Sequence, residues 1–136
     1  NDANGRVVFT IQKPCGDVLV DERLLRQILV NLLSNALKYS PAQAKIHFEL
    51  TCDEIQATFR IRDEGIGIPP EDQERLFHAF HRARNVGSIS GTGLGLVIVQ
   101  RAVQAHGGSI DFESQEGVGT AFTVTIPISS SADLVE

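Results

Sequence analysis

Residues 45–70, KIHFELTCDEIQATFRIRDEGIGIPP, decide the fold. Apolar and polar side chains alternate along KIHFELT at 45–51 and again along QATFRIR at 56–62, on either side of the polar turn Cys52-Asp53-Glu54. A period of two marks half-buried strands, so the stretch predicts an antiparallel hairpin that ends at Asp63 and runs into glycine-punctuated chain. Outward from it, SIDFES at 109–114 and TAFTVTI at 120–126 predict a second hairpin, RVVFTI at 6–11 a first strand, and VLV at 18–20 a further short one. From Asp21, a suitable N-cap, to Lys38 the positions Leu24, Leu25, Ile28, Leu29, Leu32, Leu33, Ala36 and Leu37 recur at helical spacing, and Pro41 blocks continuation. A short helix is expected after Pro69-Pro70, and another from Gly93 to about His106. Two hairpins with helices gathered between them predict an α/β (α+β) two-layer sandwich, a mixed and mostly antiparallel sheet packed on about three helices. A parallel βαβ fold fits this order poorly.

Length and composition bound the rest. The chain has 136 residues, of which 42% are hydrophobic and 21% charged, which suits one compact domain. The expected boundaries are a linker stub at 1–5, the domain at 6–128 and a flexible tail at 129–136. No apolar run is long enough to cross a bilayer, so no membrane contact and a cytoplasmic location are expected of this domain. The chain starts at Asn1 and contains no Met, and is read as a piece of a longer protein. Cys15 and Cys52 lack metal-ligand spacing and are expected to be two free thiols. A formal net charge of -5 argues against a nucleic-acid surface, which needs clustered Lys and Arg.

Four blocks carry chemistry: NLLSNALKYS at 31–40, DEGIGIPP at 63–70, LFHAFHR at 76–82 and GTGLGL at 91–96. On the long helix Asn31, Asn35 and Lys38 fall within an arc of about 60° along one border of the apolar stripe. Asn carbonyl oxygens are hard neutral ligands suited to Mg²⁺ shared with phosphates, and a Lys one turn on reaches the same phosphates. An amphipathic helix also has polar borders for no reason but solvation, and Tyr39 is either a helix-end core residue or a wall beside a flat base. Asp63 followed by Gly65 and Gly67 sets a carboxylate acceptor, expected from its reference pKa to be ionised near neutral pH, beside unobstructed backbone. Such an acceptor takes a hydrogen bond from an exocyclic amine; alone, the same residues also make an ordinary capped turn. GTGLGL matches neither the dinucleotide pattern GxGxxG nor a P-loop, and reads as a loop feeding phosphate-binding N–H groups at a helix start. Arg82, Arg84 and Asn85, in a polar stretch from 81 to 90 expected to be mobile, are candidate phosphate or lid contacts.

Taken in order, these blocks closely resemble the ATP-binding catalytic domain of sensor histidine kinases, within the superfamily that also holds gyrase, mismatch-repair and heat-shock-chaperone ATPases (the Bergerat-type ATP-binding fold). NLLSNALKYS is similar to that family's N box, DEGIGIPP to its first glycine box, LFHAFHR to its F box and GTGLGL to its second glycine box. HGGSIDFESQEGVGTAFTVTIP at 106–127 is similar to its closing hairpin. The resemblance implies that Asn35, helped by Asn31, holds Mg²⁺ on the ATP phosphates, that Lys38 contacts phosphate, and that Tyr39 lines the base. It implies that Asp63 accepts from the adenine amine, with Gly65, Gly67 and Ile68 beside it and Thr120 near the base. Gly91, Thr92, Gly93 and Gly95 would form the lid loop, Leu94 and Leu96 would pack under the nucleotide, and Phe77 and Phe80 would anchor the lid. His78 and His81 depart from the usual F box.

One position bears on reaction type. The superfamily's hydrolysing members carry a water-activating Glu one turn before the metal-binding Asn; here that place holds Asn31, whose amide cannot accept the proton. The resemblance therefore implies transfer of the ATP γ-phosphoryl to a His on a separate dimerisation domain of the same protein, with a response regulator served indirectly and the isolated domain a monomer. None of His47, His78, His81 and His106 has the family's acceptor context. Two other readings share these boxes: a serine kinase of the anti-sigma-factor type, and a nucleotide-sensing module without transfer.

Overall fold

The computed structural model describes residues 6–16, 18–78 and 95–130. Among these, the elements follow in the order β1 (Val7–Lys13), β2 (Val18–Leu19), α1 (Glu22–Lys38), β3 (Ile46–Cys52), β4 (Gln56–Arg62), α2 (Pro70–Gln73), α3 (Gly95–Ala105), β5 (Ser109–Gln115), β6 (Gly119–Pro127) and β7 (Ser129–Ser130). Both expected hairpins form. β3 and β4 pair antiparallel with Cys52 opposite Ala57, and β5 and β6 with Gln115 opposite Gly119. β4 and β6 also pair antiparallel, which joins the hairpins into one sheet of order β1-β3-β4-β6-β5. At its edge β1 runs parallel to β3, with Val7 opposite Ile46, and α1 lies in the connection between them. A βαβ-like unit thus borders a sheet that is otherwise antiparallel. Within the stretch expected as a tail, Ser129 and Ser130 pair with Leu19 and Val18 as a second small sheet, and residues 131–136 lie outside the described residues.

The period-two pattern explains which face is covered. Ala57, Phe59 and Ile61 of β4 and Phe122, Val124 and Ile126 of β6 turn to one side, where Ile28, Leu32 and Ala36 of α1 and Val99, Ala102 and Val103 of α3 complete the core. Ile28, Leu32 and Ala36 recur every fourth residue, the spacing that puts them on one helix face. α1 begins where the Asp21 carboxylate accepts from the N–H groups of Arg23 (3.0 Å) and Leu24 (3.2 Å). It ends where the Tyr39 N–H donates to the Asn35 carbonyl at 3.0 Å. Neither helix is long and apolar enough to cross a membrane, nor is any other among the described residues.

The expectation of two free thiols is overturned: Cys15 and Cys52 form a disulfide, with Cα atoms 4.9 Å apart. Their separation of 37 positions hides the pairing in the sequence. The parallel register sets Lys13 opposite Thr51, so the residue that follows β1 by two falls against the last residue of β3. Closing a loop of 37 residues should stabilise the fold by about 2–4 kcal/mol through the unfolded chain. The expected result is a clear drop in melting temperature on reduction or in Cys52→Ser. Iodoacetamide labelling of both cysteines in the native, unreduced protein would contradict the pairing.

Candidate functional site

Asp63 directly follows β4, and continuing that strand's alternation turns its side chain to the helix-bearing face. Its N–H donates to the Thr120 carbonyl at 2.8 Å, and the Thr120 N–H donates back to Asp63 Oδ1 at 3.2 Å. The Gly65 N–H donates to the same oxygen at 2.9 Å. Two backbone donors on Oδ1 orient the carboxylate and leave its second oxygen as the acceptor for an incoming donor. Burial pushes the Asp63 carboxyl above its ordinary range, while those two N–H groups pull it down. The reference-pKa reading of this residue needs that upward correction.

The glycine segment after Asp63 is clamped from two sides. Towards α1, the Ile66 N–H donates to the Tyr39 carbonyl at 3.1 Å. Towards the β5–β6 turn, the Gly117 N–H donates to the Ile66 carbonyl at 2.8 Å and the Ile68 N–H to Ser114 Oγ at 2.8 Å. A Cβ at position 65 would collide with the Tyr39 carbonyl, and one at Gly67, whose φ is 71°, with the Gln115 carbonyl. Here glycine is a steric requirement of the close approach. Gln73 of α2 adds a brace, its Nε2 donating to the carbonyls of Ile68 (2.9 Å) and Ser114 (3.3 Å).

The second half of the site lies where α1 meets the start of α3. Asn31 Nδ2 donates to the Gln27 carbonyl at 2.7 Å, one turn back, which assigns the amide so that Oδ1 is the outward atom. A methyl group at Gly95 would sit 3.4 Å from Asn31 Oδ1 and 3.8 Å from both amide atoms of Asn35. Both amides thus converge on the first turn of α3. Lys38 is exposed, with Nζ 5.6 Å from the centroid of the Tyr39 ring. Leu96 is half-buried and packs against the core, and Phe77 meets Phe112 edge-on at 6.1 Å. Arg82, Gly91, Thr92, Gly93 and Leu94, with Phe80 and the stretch from 81 to 90, lie outside the described residues.

Along the C-terminal half of α1, then, Asn31, Asn35 and the cap residue Tyr39 follow one another at intervals of about one turn, a rise of about 12 Å from Asn31 to Tyr39. Beyond Tyr39 comes the Asp63 corner. An elongated ligand with a donor-bearing ring at one end and anionic groups at the other matches this layout. Two residues that the sequence did not single out take part. Ser114 and Gln73 hold the glycine segment, and the buried Ser40 Oγ at the end of the first block has no hydrogen-bond partner among the described residues. The described residues contain no group of three or more His, Cys, Asp or Glu side chains able to hold a metal ion. Any cation here would share amide oxygens with a ligand's own oxygens.

This fold and site define an ATP-binding domain of the two-layer α/β kind. The chain belongs to the family described as histidine kinase-, DNA gyrase B-, and HSP90-like ATPase, which matches residues 20–130. It is similar to the sensor histidine kinase WalK of Bacillus subtilis (strain 168), with 44% identity over 114 residues that cover 81% of this chain and 19% of that protein. Among solved structures, the mycobacterial sensor histidine kinase MprB superposes with a TM-score of 0.78 at 31% identity, covering 92% of this chain and 86% of that one. Full-length ShkA in complex with AMPPNP does so with a TM-score of 0.77 at 29% identity, covering 93% of this chain and 26% of that one. The chain spans about a fifth of the length of WalK.

Proposed function

We propose that the chain is the cytoplasmic, nucleotide-handling part of a sensor histidine kinase, transferring the γ-phosphoryl of ATP to a His on a separate dimerisation domain of the same protein. The response regulator then receives the phosphoryl group indirectly, and the isolated domain is a monomer. The observation that carries this reading is the convergence of the Asn31 and Asn35 amides on the first turn of α3. Asn31 stands there as an amide, which cannot deprotonate water, so the site suits transfer to a positioned acceptor better than hydrolysis. Asp63 takes the adenine amine, Tyr39 lies along the base, and Gly65, Gly67, Ile68 and Thr120 line that end. Asn35 and Asn31 fit Mg²⁺ in the way their donor set allows, as neutral oxygens sharing the ion with phosphates; when bound, the ion would neutralise charge on the transferring group. Lys38 and the helix start at Gly95 favour phosphate by charge and dipole. The complex of ShkA with AMPPNP supports a nucleotide of this shape.

The test is radiolabelled ATP with the domain alone and with the helical dimerisation domain of the same protein added. The expected result is no label on the isolated domain and an acid-labile label on the partner's His. Label on the isolated domain would overturn the reading, and acid-stable label on a partner serine would replace it with an anti-sigma-type kinase.

A further inference from the structure

We infer that Ser114 is a positioning residue that fixes the direction of the Thr120 hydroxyl and thereby makes the base-facing corner an acceptor-only surface, selecting adenine over guanine. This rests on reading the Asp63 corner as the adenine site. Ser114 Oγ has three neighbours: the Ile68 N–H at 2.8 Å, the Gly119 carbonyl at 3.2 Å and Thr120 Oγ1 at 2.8 Å. A hydroxyl has one proton and two lone pairs. The amide of Ile68 can only donate to it, and the carbonyl of Gly119 can only accept from it. The Ser114–Thr120 contact admits either donor; the direction that also keeps the Ser114 bond to the Gly119 carbonyl is the one in which the Thr120 hydroxyl donates to Ser114.

The consequence falls on the neighbouring acid. Thr120 and Asp63 are bonded to each other through both the Asp63 N–H and the Thr120 N–H, so their side chains share one corner. Once the Thr120 proton points to Ser114, Thr120 Oγ1 offers lone pairs alone. The Asp63 carboxylate also offers lone pairs alone. The exocyclic group of a base presented to this pair must donate. Adenine brings its N6 amine, whereas guanine brings the O6 acceptor at the corresponding place and meets two further acceptors. Ser114 itself need touch no ligand. The Ile68 N–H on the same oxygen ties this polarity to the glycine segment, so one residue of β5 sets both the loop's seat and the hydroxyl's direction.

Removing the Ser114 hydroxyl releases the Thr120 proton, which then rotates to meet an acceptor such as guanine O6. In Ser114→Ala the ratio of ATP to GTP affinity, measured by calorimetry on the folded domain, should narrow about three- to tenfold. Ser114→Thr, which keeps the hydroxyl, should restore the wild-type ratio. In a Thr120→Val background, where no hydroxyl is left to turn, Ser114→Ala should leave the ratio where Thr120→Val sets it. A role confined to bracing the loop would weaken ATP and GTP in parallel, and an unchanged ratio in Ser114→Ala overturns the inference. A further narrowing in the Thr120→Val background overturns it too. If the wild-type domain binds ATP and GTP equally, the adenine assignment of Asp63 fails and this inference falls with it; a wild-type preference for ATP that survives Ser114→Ala removes only the role of Ser114.

Discussion

Asp63→Asn should lower ATP affinity by about ten- to hundredfold while leaving the domain folded. The loss corresponds to one charge-assisted hydrogen bond, about 1.5–3 kcal/mol, made worse because an amide can turn a donor towards the adenine amine. The fold should survive because Asn keeps an oxygen for the N–H groups of Gly65 and Thr120, which now bond Asp63 Oδ1 at 2.9 and 3.2 Å. Calorimetry with ATP and with adenosine distinguishes the outcomes. Equal loss for both ligands is expected if the contact is to the base, and wild-type affinity in the variant would remove Asp63 from the site.

The same residue gives a pH dependence with a definite sign. Burial raises the folded-state pKa of Asp63 above its unfolded value, so the folded protein holds that proton more tightly. The stabilising contribution of the protonated form is present below the unfolded pKa and is lost as pH rises through the folded one. Above the folded-state pKa the ligand-free protein carries a half-buried charge that Asp63→Asn removes, and there the variant should melt no lower than the wild type. Binding runs the other way, because the acceptor must be ionised. Adenosine affinity should begin to fall at a higher pH than an ordinary carboxylate would dictate, and Asp63→Asn should flatten that profile. Adenosine is the probe because a triphosphate titrates as well.

The hairpins and the long helix were legible because each is a local pattern: alternation around Asp53, leucines at helical spacing after Asp21, and a proline to stop them. What escaped were features made by pairing between distant segments. Nothing local in RVVFTI says that it will lie parallel to Ile46–Cys52 rather than antiparallel, and the disulfide between Cys15 and Cys52 is a product of that choice. Pairing likewise claimed Ser129 and Ser130, whose composition reads as tail. In the site, Asp63 and the glycines stood out because a carboxylate among glycines is a recognisable chemical arrangement. Ser114 did not, because a serine in a strand is commonplace, and its importance comes from three partners at 68, 119 and 120 that only the sheet brings together. Gln73 escaped for the same reason, as one polar residue among several in a four-residue helix.

Asn35→Ala should act on the opposite end of the ligand and leave the base end intact. The substitution removes an amide whose atoms converge with Asn31 Oδ1 on Gly95, without touching the Asn35 carbonyl that receives the Tyr39 N–H. Alanine is also the better helix former, so α1 should hold or gain slightly. If Asn35 shares Mg²⁺ with the phosphates, adenosine affinity should stay at its wild-type value, while the increase in ATP affinity on adding Mg²⁺ should largely vanish. Phosphoryl transfer to the dimerisation domain should fall by about 10²–10³, the scale on which losing one preorganised charge-stabilising group is felt. This pattern is the mirror image of Asp63→Asn, which should weaken adenosine and ATP together and leave the Mg²⁺ dependence of the remaining binding in place. The pair of variants thus separates base recognition from phosphate handling along one groove. A loss of adenosine affinity in Asn35→Ala would mean that the helix end had shifted and carried Tyr39 with it. An undiminished Mg²⁺ effect would show that the ion is held without Asn35.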